Sequence, residues 1–165
     1  MKIGIFSDIH DQCKNLQKAL ERCNVEKADV LLCCGDLCAP FVIDDLGKGF
    51  TGPIHIVFGN NDADTFRITK NALKYPHITL HGEYVELELG GQKIALNHYD
   101  NIGRALVKGG TFDVVCFGHN HSLETKQEGN TWLINPGEIY GGRSGKATFV
   151  FYDTEARSVE VVYLD

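Results

Sequence analysis

No apolar run in this chain approaches the roughly 20 residues that span a bilayer, and no basic region with a cleavage site precedes the first strand pattern. The expectation is a cytoplasmic protein that uses no membrane. Positive charge is also in short supply: 16 Lys and Arg face 22 Asp and Glu, a formal net charge of −6. A non-specific nucleic-acid binder usually carries a basic face, so stable nucleic-acid binding is not expected. Bound divalent ions would offset much of the deficit, which leaves a phosphodiester or nucleotide substrate open. Linkers, repeats and low-complexity segments are missing too. The 165 residues are therefore read as one domain (1–165), long enough to bury a core without a staple.

The six cysteines do not pair into a recognisable metal or disulfide pattern. Cys33, Cys34 and Cys116 fall within or at the end of apolar strand patterns, where free Cys behaves as a small hydrophobe. Cys13 and Cys23 fall on the apolar stripe of the first helical pattern. Cys34-x-x-x-Cys38 has a zinc-like spacing, but no second pair of matching type follows it.

What the chain does have is a pattern at the ends of its apolar runs. Ile3–Phe6 leads to Asp8 and His10; Val30–Cys34 leads to Gly35-Asp36; Ile54–Phe58 leads to Gly59-Asn60-Asn61-Asp62. Ile94–Leu96 leads to Asn97-His98, and Val114–Phe117 leads to Gly118-His119-Asn120-His121. Short apolar runs flanked by Gly and by helical patterns read as buried parallel strands, and ligands of open α/β sheets collect beyond the carboxyl ends of the strands. Strands are expected at 2–7, 29–34, 54–58 and 113–117. Helices are expected from an Asp11 cap to about residue 24, after Pro40, over 63 to about 73, and over 101–109. Val85–Leu89 alternates with period two, turns at Gly90-Gly91 and returns through Lys93–Leu96. The remainder reads as hairpins over 122–128, 131–134, 146–152 and 158–164. Two mixed sheets packed face to face, with helices on the outer faces, accommodate this order.

Oxygen and imidazole donors at five strand ends point to one metal site. In a chain leaving a strand in extended conformation, the Asp8-x-His10 spacing turns both side chains to one side, and His119-x-His121 repeats it. Gly35 lets the backbone approach closely. The two oxygens of Asp36 can bridge ions about 3.5–4 Å apart, as two-metal hydrolases require. Asn60 and His98 add neutral donors, so positive charge remains to hold a phosphodiester monoanion and a hydroxide. A water between two ions should ionise near neutral pH and could attack phosphorus in line. His55, His77 and His81 lie away from other donors and read as structural. Arg67, Arg104 and Arg143 are phosphate-clamp candidates that read more simply as solvated surface residues.

These motifs resemble the calcineurin-like metallophosphoesterases, whose pattern runs D-x-H, G-D, G-N-H-[DE], a single H, then G-H-x-H. The match covers nearly the whole chain in order, and the short length with Ile134-Asn135-Pro136-Gly137-Glu138 resembles the small prokaryotic phosphodiesterase branch, to which the retromer scaffold subunit is related. The resemblance implies a four-layer α/β/β/α sandwich. It implies Asp8, His10, Asp36 and His121 on one divalent ion and Asp36, Asn60, His98 and His119 on the other, with Mn, Ni, Fe or Zn as the metal. It also implies a phosphodiesterase acting on a small or nucleotide-like diester; the alternatives are a phosphomonoesterase and a non-catalytic metal-binding scaffold for protein partners. A homo-oligomer is compatible with the sequence. Two departures stand out. Asn61 replaces the His of G-N-H-[DE], a group whose proton donation is often worth about 10²–10⁴ in rate, which favours diesters or good leaving groups. Asn97-His98-Tyr99-Asp100 replaces H-G-H, so Tyr99 and Asp100 should reshape the pocket wall. Asp36, Asn61 and Asp62 are the catalytic candidates, with Asp62 orienting Asn61 or a ligand.

Overall fold

The computed structural model describes residues 1–164. In chain order the elements are β1 (Lys2–Phe6), α1 (Cys13–Val25), β2 (Val30–Cys33), α2 (Val42–Gly49), β3 (Ile54–Ile56), α3 (Thr65–Ala72), β4 (Ile78–Leu80), β5 (Tyr84–Leu89), β6 (Gln92–Asn97), α4 (Asp100–Gly109), β7 (Val114–Cys116), β8 (Glu124–Glu128), β9 (Thr131–Asn135), β10 (Thr148–Asp153) and β11 (Ser158–Tyr163). They form a six-stranded sheet in the order β11-β10-β1-β2-β3-β4 and a five-stranded sheet in the order β5-β6-β7-β9-β8.

Why two sheets stack is visible in the alternation of side chains. On β1, Ile3 and Ile5 point into a core shared with Ile94, Leu96, Val114, Cys116 and Ile134 of the second sheet. Phe6 points the other way, into a core with Leu16, Leu20, Val42, Leu46 and Ile68 of the helices α1, α2 and α3. The same division separates Leu32 from Leu31 and Cys33 on β2. On the far side, α4 covers the second sheet through Val107 against Ala95, Val115 and Phe117. The result is a four-layer α/β/β/α sandwich. Strands buried on both faces must be apolar throughout, which is why β1, β2 and β7 read as unbroken runs rather than alternating ones.

Strands β1 to β4 are mutually parallel, as are β6, β7 and β9, while β10 runs antiparallel to β1. The Gly90-Gly91 hairpin forms as expected, with both glycines at positive φ. Two expectations need correction. Ile78–Leu80 is a strand at the edge of the first sheet; at three residues after Pro76 it has too little pattern to read as one. The N-cap of α1 is Gln12, not Asp11, and it makes no side-chain capping bond. Asp11 instead accepts a hydrogen bond from the Ala39 amide at 2.7 Å, tying the β1 and β2 exit loops together. All six cysteines are free thiols. Among the described residues, no helix is long and apolar enough to cross a membrane.

Candidate metal centre

The loops that leave β1, β2, β3, β6 and β7 converge at one end of the sandwich. Asp8, His10, Asp36 and His121 present ligand atoms all within 4.8 Å of one another. His10 Nε2 lies 3.3 Å from Asp36 Oδ2 and 3.7 Å from Asp8 Oδ1, and His121 Nε2 lies 3.4 Å from Asp8 Oδ1. Beside this group is a second one. His98 Nε2 is 3.5 Å from Asp36 Oδ2 and 3.1 Å from Asn60 Oδ1, and His119 Nδ1 is 2.9 Å from the same Asn60 oxygen. Asp36 belongs to both groups. All seven donors singled out in the sequence are thus brought together.

Four of the donors meet a partner on the side away from the cluster. Asp8 Oδ2 accepts from the Ser7 hydroxyl at 2.7 Å and the His119 amide at 3.1 Å, which leaves Oδ1 free to face the cluster. His98 Nδ1 donates to the Cys34 carbonyl at 2.7 Å, directing Nε2 inward. His121 Nδ1 donates to Glu138 at 2.6 Å, again leaving Nε2 inward. His10 Nδ1 has only a soft neighbour, Cys38 Sγ, at 3.3 Å. A hydrogen bond on one ring nitrogen fixes the tautomer that offers the other to a metal.

The local backbone is not what a strand exit suggests. Asp8 (φ 51°), His10 (43°), Asp36 (57°), His119 (72°) and His121 (58°) are all left-handed. The extended geometry read into Asp8-x-His10 and His119-x-His121 is therefore incorrect: tight turns, not strand alternation, bring the paired side chains together. Non-glycine residues in this region carry strain and gather at functional sites. Gly35 is needed for a different reason: a Cβ there would stand 2.6 Å from the Gly59 amide nitrogen and 2.8 Å from His98 Nδ1.

Asn61 and Asp62 divide in role. The Asn61 amide side chain donates to Asp36 Oδ2 at 2.8 Å, and its backbone N–H donates to Oδ1 at 2.8 Å, so it lies against the shared carboxylate. Asp62 touches neither Asn61 nor any of the seven donor side chains. Its buried carboxylate accepts from the backbone amides of Asp36 (3.0 Å), Cys38 (2.8 Å) and Gly59 (2.7 Å), holding the β2 and β3 exit loops in register. The Tyr99 ring centroid lies 5.2 Å from both His98 and His119, and Asp100 opens α4. His55 and His81 bond each other at 2.9 Å and His77 lies edge-on to Tyr75, all outside the cluster.

Electrostatics mark the cluster as a cation site. The nearby Asp36 carboxylate, then Asp8 and the Cys38 sulfur, push the His10 pKa up to about 12. Burial raises the Asp36 pKa, but contacts with His10, His98 and Asn61 outweigh it and hold this carboxyl far below its usual range. Asp8 Oδ1 and His10 Nε2 are buried with no hydrogen-bond partner, an arrangement that ordinarily costs about 1–3 kcal/mol per group. Two such atoms facing one point fit a cation.

Glu138 is the residue that sequence reasoning missed. It is fully buried, bonds His121 through Oε2, and accepts from the Arg143 amide (3.0 Å), the Ser144 amide (2.6 Å) and the Ser144 hydroxyl (2.7 Å) through Oε1. Burial works against its charge, yet the Ser144 amide, His121 and the Ser144 hydroxyl together lower its pKa. A signal was available: β9 ends at Asn135, and Glu138 follows through Pro136-Gly137, one more strand end with a donor.

Comparison with known proteins agrees with this geometry. The calcineurin-like phosphoesterase superfamily domain matches residues 1–157. A phosphodiesterase of Methanocaldococcus jannaschii is 30% identical over 167 residues, covering 100% of both chains. The solved structure of an archaeal phosphodiesterase superposes with a TM-score of 0.93 at 29% identity, covering 99% of this chain and 100% of that one. The fold is also shared with the phosphoesterase YfcE of E. coli (TM-score 0.69) and with zinc-complexed Vps29 of Entamoeba histolytica (0.68), each 20% identical and covering 100% of both chains. With its motifs in order, its donors at one sheet seam and nearly its whole length matched, the chain belongs to the calcineurin-like phosphoesterase superfamily.

Proposed function

We propose that this chain is a dinuclear metal-dependent phosphodiesterase, its whole length acting as one catalytic domain on a small or nucleotide-like diester. The observation that carries the reading is the position of Asp36: one carboxylate within 3.3 Å of His10 Nε2 and 3.5 Å of His98 Nε2, shared by two donor groups. Asp8, His10, Asp36 and His121 would hold one divalent ion; Asp36, Asn60, His98 and His119 would hold the other. Mixed oxygen and imidazole donors are compatible with Mn, Ni, Fe and Zn alike; Mn is our first choice. Such ions supply Lewis acidity toward phosphoryl oxygens and make water nucleophilic near neutral pH.

The chain's own groups then do three things. Asp62 and Glu138 keep the loops and His121 in position before substrate arrives, which is where preorganised electrostatics gain their effect. Asn61, now bonded to Asp36, offers an N–H to a phosphoryl oxygen but has no proton to give a leaving alkoxide. That favours diesters, or esters with good leaving groups, over unactivated monoesters. Six free thiols also fit a reducing compartment such as the cytoplasm.

A second reading, a scaffold that binds protein partners, has one observation in its favour. Phe66 on α3 and Leu73 at its end are 77% and 82% exposed; with Thr69, Leu73 borders two apolar depressions, one beside Phe66 and one over Ile78 and Leu80. The test is hydrolysis of bis(p-nitrophenyl) phosphate and of p-nitrophenyl phosphate by chelator-stripped protein refilled with Mn²⁺, alongside Asp36→Asn. Diester turnover that needs metal and disappears in Asp36→Asn is expected. Dominant monoester turnover would make the protein a phosphomonoesterase, and metal bound without turnover would favour the scaffold.

A further inference from the structure

Four of the five arginines have acidic partners: Arg22 with Glu26, Arg67 with Asp64, Arg104 with Glu124 and Arg157 with Asp113. Among the described residues, Arg143 alone has an exposed guanidinium without a partner; only its backbone N–H is bonded, to Glu138. In a chain of net charge −6, an arginine that meets no carboxylate is conspicuous.

Its placement gives it meaning. The segment that carries Arg143 leaves β9, crosses the metal centre and returns to β10. Along the way the Ile139 amide donates to the Ser7 carbonyl (3.1 Å) and the Tyr140 amide to the Asp8 carbonyl (3.0 Å). The Tyr140 ring comes to 5.6 Å from the His10 ring. Beyond Tyr140 the chain loops out through Gly141 to Lys146 and closes on itself, Ala147 bridging Glu138. The carboxylate beneath this loop is Glu138, which binds the Arg143 and Ser144 amides with one oxygen and His121 with the other. Arg143 is thus mounted on the same buried anchor as a proposed metal ligand, but two side chains removed from the cluster. The residue therefore starts from the rim of the site, outside the donor cluster, with its side chain exposed. Its planar fork matches phosphate oxygens and its charge does not depend on pH.

We propose that Arg143, on the Glu138-anchored loop, is a subsite for a second phosphate group on the substrate, one linkage away from the scissile diester. The proposal rests on the phosphodiesterase reading and narrows its substrate class to diesters that carry a neighbouring phosphate. Tyr140, between the loop and His10, lines the path that joins the two anions. Arg143 is a specificity-determining residue here and takes no part in bond breaking.

Equilibrium binding tests this without turnover. Titrate the Mn²⁺-loaded protein by calorimetry with thymidine 5′-monophosphate and with thymidine 3′,5′-bisphosphate, in the wild type, Arg143→Ala, Arg143→Lys and, as a control, Arg157→Ala. The wild type should bind the bisphosphate more tightly. In Arg143→Ala that preference should fall about tenfold, the size of one charge-assisted contact. Arg143→Lys should retain part of it, and Arg157→Ala all of it. Thermal melts confirm that each variant is folded. A wild type with no preference, a preference that survives Arg143→Ala, or an equal loss for both ligands would overturn the subsite. Binding as described without hydrolysis of any diester would overturn the phosphodiesterase reading and leave the subsite standing.

Discussion

The two sheets contribute different chemistry to the seam between them. The first supplies Asp8, His10, Asp36 and Asn60, mostly oxygen donors, from the exits of β1, β2 and β3. The second supplies only imidazoles, His98, His119 and His121, from the exits of β6 and β7. Their supports also cross the seam: His98 of the second sheet leans on the Cys34 carbonyl of the first, and the His119 amide leans on Asp8. Each donor group draws on both sheets. The full set is assembled only when the shared core is packed, so metal binding would be coupled to sheet docking.

The sharpest way to break that arrangement is at Asp36, the one group common to both donor sets. Asp36→Asn should lower diester turnover by on the order of 10³-fold or more, because a carboxylate that faces both sets is lost at the point where charge develops. Steady-state rates at saturating Mn²⁺ check it, and residual activity within tenfold of wild type would mean Asp36 is not shared. Next in size is a gain. Asn61→His restores a proton donor and should raise turnover of an unactivated alkyl monoester such as glycerol phosphate by about 10²-fold or more, with less effect on p-nitrophenyl esters. A smaller loss belongs to the positioning of the second sheet's donors. Glu138→Gln should weaken metal affinity by about 10–100-fold, read by competition with a chromogenic chelator. Unchanged affinity would reduce Glu138 to a loop anchor.

Metal removal probes the docking itself. An ion at 100 times its dissociation constant stabilises the folded state by about 2.7 kcal/mol, so stripping should lower the melting temperature and saturating Mn²⁺ should restore it. The sign with pH follows from His10. Its folded pKa is raised to about 12 from 6.5, so in the stripped protein its ion pairs with Asp36 and Asp8 are fully present below pH 6.5 and are lost only as pH rises through about 12. Loading an ion must expel that proton, so Mn²⁺ affinity should rise between pH 6 and 9, with proton release detectable in buffers of different ionisation enthalpy. The least effect is expected away from the seam: His81→Ala removes a pairing with His55 and should leave metal affinity unchanged.

The sequence announced the donors because buried parallel strands are long in apolar character and abrupt at their ends; Ile3–Phe6 and Val114–Phe117 could hardly be anything else. The fold followed from the same runs, since strands apolar on both faces need cover on both. What could not be read was conformation and partnership. That His10 and His121 stack at 4.9 Å, or that Asp62 serves backbone amides instead of Asn61, depends on turns whose dihedral angles leave no periodic trace. Glu138 was legible as a donor after a strand end, but not as a partner: it follows a Pro-Gly turn, and only the tertiary structure brings it to His121.

The left-handed turns at Asp8, His10, Asp36, His119 and His121 have a consequence for anyone who maps this protein by saturation mutagenesis. Glycine is at ease where these residues are held under tension, and alanine is not. Replacing one of these residues by glycine should therefore give an inactive protein that melts higher than its alanine counterpart. A screen for abundance would then rank as beneficial the very changes that a screen for activity discards. The distance between those two rankings, position by position, would show where this chain gave up durability to be reactive.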